Sequence, residues 1–378
     1  MASSFKSLAS GDATSTRTLL HESIPVTGSI VSGTYGGDAT ALGSEPHIKT
    51  YSHGMFQSVY DYPHLSSSAN HIFDITAGIA DSSALSSSTT SQTSKKINIY
   101  NQMAQVLMGY DETGSVRLFD EDGDIIAGGT KLKECYFVNF SRILTKDEIK
   151  KGSFEMQVMT ADGFAHGPAS GERLIITDFS GSDGYFVNSP AGEYGVLYAT
   201  SSTDVDAVLS ANRRFAVGLL FYQAGVAVLS GSIFSDSDDG GILNTGKGTV
   251  TFSPAGATTT GFNTITASTN DVMADNLRNR LYNLQFNNTT ELNSTIYFCR
   301  VNNSEFNYSA NPTYLSTSSG GPSEIVVKDG SVSTDPHSYI TTVGLYSADN
   351  ELLAVAKVSE PLKKDPSNEL TLRVRLDY

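Results

Sequence analysis

Cysteine and charge are both scarce in this chain. Its two cysteines, Cys135 and Cys299, lie far apart and fit no metal or redox spacing, which argues against a disulfide framework and for a reducing site of synthesis. Only 17% of residues are charged, against about 25% in an ordinary globular domain. Basic clusters go no further than the pairs Lys95-Lys96, Lys150-Lys151, Arg213-Arg214 and Lys363-Lys364, and the net charge is −15. Phosphate binding needs clustered Lys and Arg, so no nucleic-acid partner is expected.

An export signal is missing as well. The stretch from Met1 to Ser10 is serine-rich and has no apolar core, so secretion is not expected. One segment, Phe215 to Phe234, is long enough to cross a bilayer. Gln223-Ala224-Gly225 breaks it in the middle and Val, Phe and Tyr dominate its flanks, which predicts a buried hairpin and no membrane partner. No fixed-period repeat is found, and that removes solenoids and propellers.

Catalytic constellations are weak. His21, His47, His53, His64, His71, His166 and His337 form no H-x-H or H-E-x-x-H pair, and no G-x-S-x-G elbow exists. Gly241 to Lys247, GILNTGK, follows a phosphate-binding loop as far as its lysine. Gly248 then stands where a hydroxyl would hold magnesium, and Thr249 to Phe252 reads as a strand instead of a helix whose N-terminus faces phosphate. The expectation is a non-enzyme with no catalytic residue, no cofactor and no small-molecule substrate. Asp120, Asp122 and Asp124, clustered around Gly123, are weak candidates for a hard cation such as calcium. The register is not that of an EF-hand and no glutamate follows at the required distance, so a tight hairpin turn is the simpler account. The Asn-x-Ser/Thr triplets, Asn288-Thr-Thr290 among them, read as turn and strand chemistry.

What is present is a β composition. Glycine, serine, threonine and asparagine fill the gaps between short apolar runs, and 378 residues suggest two or three packed units. The fold class expected is mainly β with a few helices: antiparallel β-sandwich-like domains plus an extended N-terminal arm. The arm covers residues 1–94. Its aromatic residues Tyr51, Phe56, Tyr60, Tyr62 and Phe73 sit in glycine- and serine-rich chain, so they are candidate subunit-interface residues buried from outside the segment.

Asp81 to Ser94 reads as an exposed serine- and threonine-rich loop. A central β-rich domain, 95–268, follows, with helices near 96–110 and 145–151. The first places Ile99, Met103, Val106, Leu107 and Tyr110 on one face, and Thr145 with Glu148 suggests a capping box for the second. The last domain, 269–378, opens with a helix from Val272 to Leu284 and ends as antiparallel sheet. In its final strand Leu370, Leu372, Val374, Leu376 and Tyr378 alternate with Thr371, Arg373, Arg375 and Asp377.

The segments KTYSHGMFQSVYDYPHLSSSANHIFDI (Lys49 to Ile75), Lys95 to Tyr110, YNLQFNNTTELNSTIYFCRVNNSEFNYSANPTY (Tyr282 to Tyr314) and the ending SYITTVGLYSADNELLAVAKVSEPLKKDPSNELTLRVRLDY resemble virion structural proteins of large contractile-tailed marine phages, cyanophage-like myoviruses especially. The resemblance is weakest from about Thr200 to Ser268. It implies a virion component made in the host cytoplasm, in the tail baseplate (wedge) or associated with it. Partners would be copies of itself and other virion structural proteins, and no catalytic residue carries over. A neck or head-to-tail connector, or a tail-fibre or receptor-binding protein with carbohydrate contact, are the alternatives.

Overall fold

The computed structural model describes residues 5–20, 25–28, 47–87, 90–124, 128–144, 147–160, 173–201, 214–235, 241–244, 249–252, 257–260, 269–308, 315–316, 324–325 and 336–377. The chain is mainly β, with antiparallel ladders and two α-helices among those residues. It forms two compact units. The larger is Leu20–Thr290; the smaller joins Met1–Leu19 to Glu291–Tyr378.

In chain order the elements are β1 (Ala13–Leu20), β2 (Ile48–Thr50), β3 (Gln57–Tyr60), β4 (His71–Ile79), α1 (Ser91–Leu107), β5 (Glu134–Asn139), β6 (Glu155–Met159), β7 (Arg173–Thr177), β8 (Gly192–Thr200), β9 (Arg214–Phe221) and β10 (Val226–Ser230). They continue with α2 (Asn270–Arg280), β11 (Leu281–Val301), β12 (Ser338–Tyr346), β13 (Leu352–Lys364) and β14 (Leu370–Asp377). The larger unit is built on one sheet of order β2-β3-β4-β5-β10-β9-β8-β7-β6-β11, antiparallel throughout.

The runs FAVGLLF of β9 and VAVL of β10 are apolar at nearly every position because their sheet is covered on both faces. Leu219, Phe221, Val226 and Val228 pack with Ile99, Tyr100, Ala104 and Leu107 of α1. Val217, Leu220, Ala227 and Leu229 share the opposite core with Met273, Ala274 and Leu277 of α2. A two-faced sheet of this kind shows no hydrophobic alternation. The hairpin expected at Phe215 to Ser230 is therefore present and buried. Among the described residues no helix is long and apolar enough to cross a membrane.

The expected arm is a correction. Residues 48–79 are β2, β3 and β4 of the large sheet, with Val59, Phe73, Ile75 and Ala77 fully buried in its core. Their burial is supplied from within the same unit: β4 pairs with β5, and Val59, Phe73, Ile75 and Ala77 share a core with Met273, Ala274 and Leu277 of α2. Residues 13–19, at the other end of the supposed arm, belong to the smaller unit.

Both helices also differ from expectation. Helix α1 starts inside the serine and threonine tract, because the Thr90 side chain accepts the Thr93 N–H and caps it (3.3 Å). Its buried stripe is Thr93, Lys96, Ile99, Tyr100, Ala104 and Leu107, while Val106 and Tyr110 are exposed. The helix crosses β4 at Gly78, where any Cβ would stand 2.8 Å from the Tyr100 nitrogen. Burial draws the Lys96 amine down to about 8.

Helix α2, capped by Thr269, ends at Arg280; Leu281 is already extended and Leu284 is a strand residue. Arg280 lies buried with its guanidinium 4.5 Å from the Phe234 ring centre. Burial holds it down at about 10. The helix expected near 145–151 does not form: Glu148–Ile149 is a short strand paired with Asn288 and Thr289 of β11, and residues 145–146 lie outside the described ones.

In the smaller unit the second half of β11 pairs with β14 from Ser294↔Asp377 to Val301↔Leu370, and β1 pairs with β11. The alternation expected in the last strand is realised, with Val374 buried and Arg373 and Arg375 exposed. Strands β12 and β13 form a separate hairpin whose turn closes through Ser347 N–H to Glu351 O (2.9 Å), with Asn350 at φ 64°. The end of β13 is anchored by Lys364, which is buried and donates to Asn303 O (3.2 Å), Asn307 Oδ1 (2.6 Å) and Asp365 O (2.8 Å).

Candidate functional site

The acidic turn expected at Asp120–Asp124 is a turn. Phe119–Asp120 pairs with Lys131–Leu132, Gly123 adopts φ +81°, and the Asp124 N–H donates to Asp122 Oδ1 (3.2 Å). One carboxylate oxygen from each of Asp120, Asp122 and Asp124 comes within 4.8 Å of the others, the only such metal-ligating group among the described residues. These oxygens suit a hard cation by type. Asp120, however, is buried and already ion-paired with the Lys131 ammonium, so a positive charge is built into the turn. Tyr194 Oη, donating to Gly123 O (2.9 Å), braces it from β8. Residues 125–127 lie outside the described ones.

A second cluster gave no sequence signal beyond a glutamate and a lysine three residues apart. Lys151 donates to Glu148 Oε1 (2.9 Å) and Glu193 Oε2 (2.6 Å), with its ammonium about equally far from the Tyr185 and Tyr222 ring centres, 5.0 and 5.1 Å. Beside it Asp178 is buried; its Oδ2 accepts the Gly152 N–H (2.7 Å) and its Oδ1 the Phe154 N–H (3.0 Å). Burial pushes the Asp178 carboxyl up to about 6 against the pull of those two bonds. The same burial, with Asp178, Glu148 and Glu193 close by, raises the Tyr222 phenol. The cluster ties the turn after Glu148–Ile149 to β8 and to the end of β7. Its backbone donors are spent on Asp178, so the arrangement is a brace.

A third group brings Ser58, His71 and Asp74 together on β3 and β4. Asp74 Oδ1 accepts from Ser58 Oγ (2.5 Å) and lies 2.7 Å from His71 Nε2. The carboxylate stands between the serine and the histidine, so the imidazole has no path to the serine proton, which nucleophilic catalysis requires.

The interface candidates separate. Phe73 is fully buried against Phe140 (ring centres 6.0 Å apart). Tyr51 and Phe56 are half-buried and stack with His53 in one small group (4.8 to 5.2 Å). Tyr60 packs on His71 (5.3 Å). Only Tyr62 is exposed, at 57%, on the loop between β3 and β4.

Of the loop GILNTGK, Gly241–Asn244 is described and Leu243 is fully buried, while Lys247 lies outside the described residues. Thr249–Phe252 is a strand paired with Ala257–Thr260. A phosphate loop would need a helix there.

A group of exposed apolar side chains also lies on the smaller unit. Tyr339, Tyr346, Leu352, Leu353 and Val355, all on the β12–β13 hairpin, are exposed, and Phe5 packs edge-on against Tyr346 (5.3 Å). Nothing in the alternating pattern of either strand distinguished these residues from a core-facing set. Compared with protein-family models, curated proteins and solved structures, the chain matches none.

Proposed function

We propose that the chain is a non-enzymatic structural subunit of a tailed-phage virion, in the tail baseplate (wedge) or attached to it, working by packing against copies of itself and neighbouring virion proteins. The observation that carries this reading is the β12–β13 hairpin. It is a two-stranded sheet in which only Lys364, at its end, is buried, and an isolated two-stranded hairpin is at best marginally stable in water. An element of this length with apolar side chains on show gains its core by association.

The titratable clusters support the same reading, because each is committed to bracing a turn or a strand pair. The resemblance of Lys49 to Ile75, Tyr282 to Tyr314 and the C-terminal forty residues to contractile-tail virion proteins supplies the kind of particle. Peptide mass spectrometry and cryo-EM of purified particles of the virus that encodes the chain test it. The chain is expected at a fixed copy number in density at the tail end. Its absence from particles, with abundant chain in the infected-cell lysate, would overturn the proposal.

A further inference from the structure

We propose that the outer edge of β13 is a homodimer interface, on which β13 of a second copy of this chain pairs antiparallel about a two-fold axis at Ala354. The inference rests on reading the chain as a subunit that works by packing, and names its partner.

Among the described residues β13 pairs with β12 alone, so the N–H and C=O groups along its other edge have no ladder. Natural edge strands are guarded by charge or proline. The far half of β13 is guarded in this way, by Glu360, Pro361 and Lys363, and β14 carries Arg373 and Arg375. The near half, Leu352-Leu-Ala-Val-Ala356, has neither charge nor proline, and Leu353 is 67% exposed. This stretch is the unguarded edge.

The sequence around Ala354 matches itself. Antiparallel pairing about that residue sets Ala354 opposite its own copy, Leu353 opposite Val355, Leu352 opposite Ala356 and Glu351 opposite Lys357. Directly opposed residues share a face of the sheet, so each large side chain meets a smaller one and each acid meets a base, twice over by symmetry. Moving the axis to Val355 destroys the match, because Lys357 then faces Leu353 and Glu351 faces Ser359. Charge complementarity of this kind selects a second copy over a strand of unrelated sequence. Leu353 is a bulge residue of β13 against β12; it lies inside the shared stretch and raises its local twist, so the ladder between the two copies is short. The product is a four-stranded sheet, and the two-fold closes it at two copies.

Sedimentation velocity of the full chain over a concentration series is expected to show a dimer. Ala354→Cys, mildly oxidised, is expected to give a reducible covalent dimer, since the axis brings the two copies of that residue within disulfide reach; the wild-type chain, with Cys135 and Cys299, serves as the control. Lys357→Glu is expected to raise the dimer dissociation constant about tenfold or more, and adding Glu351→Lys to bring it back. Circular dichroism of each variant confirms that the fold is retained. A monomer at every concentration, a dimer that Ala354→Cys does not cross-link, or one that the charge reversal leaves unmoved would overturn the interface. A monomeric chain that is nonetheless found in particles would sink the dimer alone; a cross-linking dimer absent from particles would sink the virion reading alone.

Discussion

Asp178 combines the burial of a charge with the capping of two backbone donors. Its folded acidity, pushed up by burial to about 6 from 3.8, means that it favours folding most below about pH 4. That contribution is lost as pH rises through 6, on the order of 3 kcal/mol in all. The groups facing it are the Tyr222 phenol and, next to that, Glu148, Glu193 and Lys151. In urea titrations between pH 4 and 7 the wild type is expected to lose stability over that window, and Asp178→Asn to flatten the loss. Asp178→Ala, which strands the Gly152 and Phe154 N–H groups, is expected to cost about 2 to 4 kcal/mol at pH 7, and equal stability to wild type would refute the capping role. None of this was legible in the sequence. The members at 148, 151, 178, 193 and 222 come together only when three strands pair, and local spacing reveals just the glutamate and lysine three apart.

Elements were legible from alternation where one face of a strand is wet and from an unbroken apolar run where both faces are covered, as in β9 and β10, and obscure where burial comes from afar. The last strand announced itself because Leu370 to Asp377 has a single protected face. Helix α2 was read four residues too long because Leu281 and Leu284 continue the helical spacing of Met273 and Leu277. They continue instead as strand residues of the same core, a tertiary preference that overrides local period. Gly218 of β9 tests how closely the central strands are packed: a Cβ there would lie 2.0 Å from the Val228 carbonyl oxygen on β10, a backbone atom that cannot swing aside. Gly218→Ala is expected to lower stability by about 1 to 3 kcal/mol or more. A melting temperature within a degree of wild type would show that the β9–β10 ladder yields freely.

At the scale of the whole molecule, the first and last parts of the sequence belong together. Asp12 is held by the Ala9 N–H (3.0 Å) and by Arg300 (2.7 Å), and its carbonyl accepts the Phe298 N–H (2.7 Å); Lys6 pairs with Glu305 and Phe5 with Tyr346. These joins are illegible from composition, since residues 5–16 contain little that is apolar and find their partners almost three hundred positions away. Their consequence can be read along one strand. Leu281–Thr290 of β11 belongs to the larger unit and the remainder to the smaller, so β11 carries its own internal control. Deleting Met1–Leu19 removes β1 and the Asp12 contacts from the smaller unit and takes nothing from the ladder that pairs Leu284 and Gln285 with Met156 and Glu155. Hydrogen exchange of the truncated chain is therefore expected to show lost protection at Ser294–Val301, about ten- to a hundredfold faster for amides such as Phe298, with Leu284–Phe286 unchanged. Equal loss in both halves would mean that the two units open as one cooperative body. No loss in either would mean that β14 alone sustains the second half, and that the N-terminal strand has a role outside this subunit's own fold.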